Sequence, residues 1–340
     1  MLYSIARAAL FRLDPEVAHD LTLKSLCTLG PSVALLGAGA DAKEEATRVM
    51  GIDFPNPVGL AAGLDKNGDC ISALGALGFG SIEIGTVTPR PQPGNPKPRL
   101  FRLVDHDAII NRMGFNNDGV EKLVRNVERS SFRGVLGINI GKNFDTPIER
   151  AADDYVACLE AVYEHATYVA VNISSPNTKN LRDLQSPERL DELLGTIMAK
   201  RDALAKRSGL RARPLAVKVA PDLDAEQVAS IANLALKHGV DGLIATNTTL
   251  AREAVAGHAH AAQAGGLSGR PLFARSTEVL RQLAAALGGR IPLIGVGGIH
   301  TGSDAKAKRD AGAALVQLYT GFIYRGPDLI AEARKALRGS

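Results

Sequence analysis

The stretch Val169–Thr178, VAVNISSPNT, decides the fold. Together with Tyr168, its first residues form a nearly continuous apolar run with β-branched side chains, which is typical of a strand buried on both faces. The run stops at Ser174–Asn177, SSPN, a turn sequence that has no place in a hydrophobic core. Amides and hydroxyls therefore crowd the carboxyl end of a buried strand, where α/β proteins place their binding sites. The same residues would also suit a simple capped turn, so the interpretation depends on how the other strands end.

Composition excludes several classes of protein. The chain has 340 residues, 45% of them hydrophobic, which is enough for one large domain with an extensive core. Aromatic residues make up 4%, Trp is absent and the net charge is +4 with scattered basic residues, so no nucleic acid partner is predicted. The separated cysteines Cys27, Cys70 and Cys158 lack metal-ligand spacing, which predicts a reducing compartment without a disulfide set or a metal site. No apolar run approaches the roughly 20 residues that span a membrane, and early charges argue against a signal peptide.

Residues 1–40 are predicted to form a separate pair of amphipathic helices. Apolar residues recur at helical spacing from Leu2 to Leu13, and Asp14-Pro15-Glu16 is a strong helix start. The second helix should end at Gly30-Pro31, and Leu35–Ala46 is predicted to lead into the main domain, 41–340. The pair has two possible roles, as an extra layer on the domain or as a face that rests on a membrane. Its three basic and three acidic residues balance, so charge does not decide between them.

From Thr47 onward, strand and helix patterns alternate. The predicted strands are 57–61, 81–85, 135–140, 168–172, 215–219, 242–245, 292–296 and 314–318, each followed by a helix. Eight such repeats predict a (β/α)8 barrel. A doubly wound sheet is the alternative, but no GxGxxG follows the first strand. Two long insertions interrupt the pattern, and the first, 89–114, is a candidate lid or wall of the site.

In a barrel the carboxyl ends of all strands meet at one rim, so the residues that follow the strands are candidate site residues. Gly297-Gly298 and Tyr319-Thr320-Gly321 follow the last two strands, and each is predicted to open a helix that favours a phosphate group. A tight turn without a ligand explains one such glycine pair more readily than two adjacent ones. Four amide side chains are predicted to converge on the rim: Asn111, Asn172, Asn177 and Asn247. Because an amide both donates and accepts hydrogen bonds, this convergence predicts a polar heterocycle as ligand.

Lys218 lies within an apolar strand, and a buried Lys is costly unless an anion meets it. Asp222 and Asp65 are possible structural partners, and a reduced flavin, anionic near its N1, is the functional alternative. His258 and His260 form an HxH pair in the second insertion. The pair suggests a metal, but a solvated flexible loop is the favoured interpretation.

Five motifs, in this order along nearly the whole chain, resemble those of the dihydroorotate dehydrogenase family: NRMGFNN at 111–117, NISSPNT at 172–178, IATNTT at 244–249, GGLSG at 265–269 and GVGGI at 295–299. The resemblance implies an FMN-dependent barrel that oxidises dihydroorotate to orotate in pyrimidine synthesis. Ser175 stands where the soluble class 1 has Cys, and the helical pair is present, so the resemblance points to the quinone-using class 2. It implies a monomer bound peripherally, through the helical pair, to the cytoplasmic face of the inner membrane.

Carried over residue by residue, the resemblance implies an FMN site made by Ala61, Ala62, Gly63, Leu64, Asp65, Lys66, Thr86, Asn139, Asn172, Lys218, Thr246, Gly269, Gly298, Tyr319 and Thr320. It implies a dihydroorotate site made by Lys66, Asn111, Arg112, Met113, Gly114, Phe115, Asn172, Asn177, Asn247 and Thr248. Ser175 would be the catalytic base, with Thr178 as its proton exit and Lys66 stabilising charge on the substrate. His19, Arg102 and Tyr319 are assigned to the quinone end. Thr320 departs from the Ser of many relatives but keeps the hydroxyl.

Two other functions stay open at this point. A soluble class 1-like enzyme, or another FMN-dependent barrel, would pass its electrons to fumarate or NAD instead of a quinone. A flavin-binding or membrane-surface scaffold without turnover would be yellow, and dihydroorotate would not bleach it.

Overall fold

The computed structural model describes residues 2–37, 45–209 and 211–338. Its strands are β1 (Thr47–Val49), β2 (Ile52–Phe54), β3 (Val58–Leu60), β4 (Ser81–Val87), β5 (Leu100–Leu103), β6 (Ala108–Asn111), β7 (Val135–Ile140), β8 (Tyr168–Asn172), β9 (Leu215–Val219), β10 (Gly242–Ala245), β11 (Gly266–Gly269), β12 (Leu293–Val296) and β13 (Ala313–Leu318). Its α-helices are α1 (Leu2–Leu10), α2 (Pro15–Leu29), α3 (Ile71–Gly75), α4 (Val120–Arg129), α5 (Ala151–Val162), α6 (Pro187–Ser208), α7 (Ala225–His238), α8 (Phe273–Leu287), α9 (Gly302–Asp310), α10 (Thr320–Arg325) and α11 (Asp328–Leu337).

Eight parallel strands close into a barrel in the order β3-β4-β7-β8-β9-β10-β12-β13, and β13 pairs back with β3. Every residue of β8 and of β9 is buried, because the barrel interior covers one face of each strand and the helices cover the other. The predicted bounds of β7, β8, β9 and β10 coincide with the observed ones, and the other four barrel strands differ by one or two residues. The predicted (β/α)8 barrel is confirmed, and with it one rim that collects the carboxyl ends of the strands.

The two insertions form a small sheet that the sequence did not predict. β5 and β6 make an antiparallel hairpin within 89–114, and β11 of the second insertion pairs with β6, placing Gly266 opposite Asn111. The burial of β5 alternates along the strand, as expected for a strand with one face on the core. Segments more than 150 residues apart in the sequence therefore build one wall beside the rim.

The second N-terminal helix starts and ends where predicted, whereas α1 ends at Leu10, before the predicted helical pattern does at Leu13. The Asp14 carboxylate caps α2 by accepting hydrogen bonds from the backbone N–H groups of Glu16 and Val17 at 2.9 and 3.1 Å. The chain continues as a 3-10 helix over Gly30–Leu36, so the predicted linker does not begin at Leu35. Most of that linker, and the predicted domain boundary at residue 40, lie outside the described residues. Among the helices in the described ranges, none combines the length and hydropathy needed to cross a membrane.

Two further helix predictions differ from the structure. The helix after the first barrel strand covers only α3, because a long turn occupies the preceding residues 62–70. The final helix is divided into α10 and α11 at Gly326-Pro327, where Gly326 has a φ of 69° and Pro327 cannot donate to the helical ladder.

The helical pair is attached to the barrel by polar contacts. The Tyr3 hydroxyl donates to the carbonyl of Ile323 at 2.5 Å, and Arg7 donates to the carbonyl of Tyr324 at 2.8 Å. Cys27 of α2 forms a disulfide with Cys70, which precedes α3. The prediction of unpaired cysteines is wrong here, because docking of α2 brings together two residues whose separation of 43 carries no spacing signal.

The strongest of these contacts is a buried ion pair. Arg99 donates from Nη2 to Glu16 Oε1 at 2.8 Å, Lys97 lies 3.2 Å from the same oxygen, and both Glu16 and Arg99 are buried. Burial alone raises the pKa of Glu16, but the hydrogen bonds and charges of Arg99 and Lys97 outweigh it and hold that pKa below its usual value. The carboxylate is therefore ionised at neutral pH, and it neutralises a buried guanidinium.

We expect Glu16→Gln to lower the free energy of unfolding by about 3 kcal/mol, because it leaves the buried Arg99 charge without a counter-charge. Urea denaturation gives this difference, and faster tryptic cleavage within α2 shows that the helices have come loose. The matched control is Glu121→Gln, since Glu121 forms an exposed ion pair with Arg125 at 3.9 Å; its effect should stay below about 0.5 kcal/mol. Equal denaturation midpoints for the two variants would contradict the prediction.

Candidate active site

One large cavity opens at the rim formed by the carboxyl ends of the barrel strands. The space free of protein atoms, counted out to its open mouth and including the solvent there, is about 980 Å³. Twenty of its lining residues are candidates predicted from the sequence: Ala61, Ala62, Gly63, Lys66, Thr86, Asn111, Met113, Gly114, Phe115, Asn172, Ser175, Asn177, Lys218, Thr246, Asn247, Thr248, Gly269, Gly298, Tyr319 and Thr320. Seven barrel strands and the hairpin wall supply them, so the fold brings distant segments to one place.

Ser175 stands in the turn after β8, where its side chain is 5% exposed and lines the cavity. Its Oγ accepts a hydrogen bond from the backbone N–H of Asn177 at 3.2 Å. Arg182 holds this turn in place, since its guanidinium donates to the carbonyls of Ser174 and Thr248 at 3.1 and 2.8 Å. The hydroxyl therefore occupies a fixed, nearly dry position.

The four asparagines of the rim meet in two pairs. Asn177 Nδ2 donates to Asn111 Oδ1 at 3.1 Å, and Asn247 Nδ2 donates to Asn172 Oδ1 at 3.3 Å. Asn177 Oδ1 is buried without any partner in the described part of the chain. The predicted convergence is confirmed as geometry, and it leaves an amide oxygen free to accept from a ligand.

Two lysines line the cavity, and neither has a hydrogen bond or ion pair with any described residue: Lys66 and Lys218. Burial lowers the pKa of Lys218, and the negative charge of Glu83 counteracts this. Burial, helped by the charge of Arg99, lowers the pKa of Lys66 to about 8. Two such cations need an anionic ligand, because an unpaired buried ammonium is costly.

The structural partners suggested for Lys218 are wrong. Asp222 instead forms an ion pair with Arg182 at 2.7 Å and accepts from the Thr249 hydroxyl. Asp65 accepts from the backbone N–H groups of Asp69 and Cys70 at 2.9 and 2.8 Å, which organises the turn before α3. Both carboxylates are therefore used elsewhere.

The glycines after β12 and β13 differ in their surroundings. Gly297 and Gly298 do not open a helix, because α9 begins at Gly302 with Thr301 as its capping residue. Gly298 has a φ of 78°, and a Cβ there would collide with the backbone of Phe273. Thr320 does open α10, and its hydroxyl donates to Ser268 Oγ at 2.8 Å. The glycine pair thus lets the chain pass close to α8 while its backbone lines the cavity.

Several predicted site residues lie outside the cavity lining. Leu64 and Asp65 are buried behind the loop that carries Lys66, and Asn139 is fully buried behind Thr86. Arg112 turns away from the cavity and donates to Gln263 and to the carbonyl of Pro98 at 2.9 and 2.8 Å, joining the two insertions. Thr178 comes directly after the residues of the β8 turn that line the cavity. Its buried Oγ1 lacks a partner among the described residues. The roles assigned to these residues stay predictions.

Of the residues assigned to the quinone end, only Tyr319 lines the cavity. His19 is half-buried on α2, and burial together with the nearby charge of Lys66 lowers its pKa to about 3. Arg102 donates to the carbonyls of Leu10 and Leu13 and lies over the Phe11 ring, 4.6 Å from its centroid. Arg102 therefore sits where α1 turns into α2, while His19 lies close enough to Lys66 to sense its charge.

Sequence reasoning assigned no ligand contact to six other lining residues: Ser268, Leu272, Val296, Ile299, Gln317 and Leu318. It had already placed Gly297 and Gly321 among the rim residues predicted to favour a phosphate group. Gln317 carried a signal, because it is polar within the apolar strand β13, as Lys218 is in β9. The HxH pair lies in a loop whose other residues are mostly exposed, with both His side chains half-buried, and the flexibility of this loop stays a prediction. His258 packs on His106 and His260 packs on Phe101, with ring centroids 5.5 and 5.4 Å apart.

Comparison with known proteins identifies the family of the chain. The family model described as dihydroorotate dehydrogenase matches residues 45–339. The chain is 62% identical over 337 residues to a protein of Paraburkholderia phymatum named dihydroorotate dehydrogenase (quinone), covering 99% of this chain and 97% of that one. A protein of Burkholderia pseudomallei with the same name is 61% identical, covering 99% of this chain and 98% of its own length.

Solved structures give the same relationship. The crystal structure of DHODH from Eimeria tenella in complex with ferulenol superposes with a TM-score of 0.86 at 39% identity, covering 95% of this chain and 90% of that one. The ligand-free form from the same organism has a TM-score of 0.84 at 38% identity, with coverages of 95% and 94%. By sequence along nearly its whole length and by fold, the chain belongs to the dihydroorotate dehydrogenase family.

Proposed function

We propose that this protein oxidises dihydroorotate to orotate with bound FMN and passes the electrons to a membrane quinone, as a class 2 enzyme of pyrimidine synthesis. The observation that carries the proposal is the single cavity that joins the Ser175 hydroxyl, two unpaired lysines and two asparagine pairs. The names of the relatives, which specify a quinone, support the choice of acceptor.

The residues present fit an FMN group. Two of the cavity groups that have no partner among the described residues are the Lys218 ammonium and the buried amide oxygen Gln317 Oε1, which suit an anionic ring system with N–H donors. The backbone at Gly298 and the start of α10 suit a phosphate group. FMN, when bound, accepts the hydride that the substrate loses.

The chain's own residues would carry out the remaining tasks. Asn111, Asn172, Asn177 and Asn247 would orient the substrate ring, and Lys66 would meet its negative charge. Ser175 would take a proton from the substrate carbon, although serine is a poor base in water. Its buried position supports this role, and Thr178 Oγ1, buried and unpaired, is the proposed next proton acceptor.

We propose that α1 and α2 form the quinone entrance and rest on the cytoplasmic face of the inner membrane, with residues 1–40 acting as a unit distinct from the barrel. Seven of the ten large hydrophobic side chains exposed in the described residues lie between Ile5 and Leu36. Contiguous exposed apolar surface of this kind is typical of membrane contact. The balanced charge of the segment predicts binding that depends little on anionic lipid.

The double substitution Val17→Glu, Leu21→Glu should weaken binding to phosphatidylcholine vesicles at least about tenfold, since burying each side chain contributes about 1.5 kcal/mol or more. These residues lie one turn apart on α2 and are 54% and 47% exposed. Vesicle sedimentation measures the effect. Leu250→Glu, at a residue 52% exposed on the barrel, is the control that should bind normally; equal sedimentation of both variants would exclude α2 as the contact.

The deciding experiment is anaerobic. The purified protein should be yellow, dihydroorotate should bleach its absorbance near 450 nm, and a short-chain quinone should then restore it. Restoration by fumarate or NAD alone would replace the quinone with the acceptor of a class 1-like enzyme. A yellow protein that dihydroorotate fails to bleach would be a scaffold, and a protein that does not bind FMN would end the proposal.

A further inference from the structure

One buried carboxylate lies directly behind the cavity and takes no part in the function proposed above. Glu83 is in the middle of β4, is 1% exposed, and accepts hydrogen bonds from three different barrel strands. Asn139 Nδ2 donates to its Oε1 at 2.8 Å. The Tyr168 hydroxyl and Gln317 Nε2 donate to its Oε2 at 2.8 and 2.7 Å.

All three contacts are donated to Glu83, which is the arrangement that suits a carboxylate. Gln317 Nε2 also lies 3.3 Å from the Tyr168 oxygen, which accepts from it and so turns its own proton to the carboxylate. Gly137, opposite Glu83 on β7, leaves the space that the Tyr168 ring fills, because a Cβ there would collide with that ring. An ionised carboxylate can only accept hydrogen bonds, so every amide that faces it must present its N–H groups.

The orientation that Glu83 imposes on Asn139 also fixes the orientation of the next amides toward the cavity. Because Asn139 gives its Nδ2 to Glu83, its Oδ1 faces the other way and accepts from the Thr86 hydroxyl at 2.5 Å and from Asn172 Nδ2 at 3.2 Å. Asn172 therefore presents its Oδ1 to Asn247 Nδ2 at 3.3 Å. The Asn247 Oδ1 in turn accepts from the backbone N–H of Thr248 at 2.8 Å. Each amide in the series has one allowed orientation.

Glu83 also fixes the orientation of a second amide, that of Gln317, whose side chain lines the cavity. Gln317 gives its Nε2 to Glu83, which leaves its Oε1 buried and without a partner among the described residues, on a side chain that lines the cavity. Reversal of this amide would set its carbonyl oxygen against the carboxylate. The Gln317 oxygen is thus held ready to accept from a ligand N–H group.

Resting on the proposed function, we propose that Glu83 is a positioning residue that fixes the orientation of the amides around the cavity and so decides where FMN and orotate meet a donor or an acceptor. The same carboxylate supplies the negative charge that acts on the buried Lys218. Glu83 touches neither the cavity nor its ligands, so its effect is exerted through Asn139 and Gln317.

The test uses the holoenzyme and titrates it with orotate, following the change in the flavin absorbance spectrum. Glu83→Gln keeps the shape but can donate as well as accept, so Asn139 and Gln317 lose their single orientation. We expect FMN to stay bound and the Kd of orotate to rise about tenfold or more, as expected when a charge-assisted hydrogen bond loses its partner. A rise of less than fivefold would overturn the proposal.

The matched control is Tyr168→Phe, which removes a donor to Glu83 but keeps the carboxylate and the Asn139 branch. It should lower the thermal unfolding temperature as much as Glu83→Gln, yet change the orotate Kd less than threefold. An equal loss of orotate affinity in both variants would mean that Glu83 only supports the barrel, and the proposal would fail.

If Glu83→Gln does not fold or loses FMN, Asn139→Leu makes the same comparison, since it cuts the link to Asn172 and leaves Glu83 in place. A fivefold or larger rise of the orotate Kd with FMN still bound supports the proposal; a smaller rise, or loss of FMN from the folded protein, which the FMN role assigned to Asn139 explains by itself, overturns it. A wild-type protein that fails to bind FMN or orotate would overturn the proposed function instead, so the two failures are distinguishable.

Discussion

Ser175→Ala is expected to lower the rate of dihydroorotate oxidation by about 100- to 10,000-fold, the usual contribution of a positioned general base, while FMN stays bound. The hydroxyl is nearly buried in the turn after β8 and lines the same cavity as both lysines and the asparagine pairs. Alanine removes the proton acceptor and leaves the turn intact, because Arg182 holds that turn through backbone carbonyls. Anaerobic stopped-flow bleaching of the flavin measures the rate, and absorbance at saturation gives the FMN content.

Two further variants test whether the loss of activity comes from the Ser175 hydroxyl. Ser186→Ala removes a hydroxyl that makes no capping hydrogen bond at the start of α6 and lies outside the cavity, so turnover should be unchanged. Ser175→Cys restores a group that can lose a proton and should recover part of the activity, more at high pH, where the thiolate forms. Bleaching of the Ser175→Ala flavin at the wild-type rate would remove Ser175 from the mechanism.

The barrel could be predicted because its strands carry two independent signals. β7, β8, β9 and β10 are apolar runs of four to six residues that end in polar turn residues, so both their type and their bounds can be identified. The hairpin wall could not be predicted, since β5, β6 and β11 lie in insertions outside the strand–helix alternation and β11 pairs with a strand more than 150 residues earlier in the sequence. When two segments are distant in sequence, neither of them carries a local pattern that predicts their pairing.

The same contrast holds within the site. Lys218 was found because a charge interrupts an apolar strand, and the identical signal at Glu83 in β4 and at Gln317 in β13 was not followed. Asp65 and Arg112 were both assigned to ligands through the family resemblance, but the structure uses one to organise a turn and the other to join the insertions. Sequence therefore identifies which residues are unusual, whereas only the packing decides which of them reach the cavity.

Lys66 should give orotate binding a pH dependence that separates it from the other groups of the site. Burial and the charge of Arg99 lower the pKa of Lys66 to about 8, so the ammonium is present below that pH and is lost above it. Orotate is an anion and binds the ammonium form, so its affinity should be constant below about pH 7 and fall as pH rises. Between about pH 7 and about pH 9.5 the Kd should rise about thirtyfold, which follows from a single group that titrates near 8.

The measurement is an orotate titration of the oxidised holoenzyme across this range, read from the flavin spectrum. Lys66→Met removes the titrating charge, so its Kd should be raised at neutral pH and show no rise between about pH 7 and about pH 9.5. His19 does not contribute in this window, because its pKa of about 3 keeps it neutral throughout. A Lys66→Met profile that rises like the wild type would assign the titration to another group.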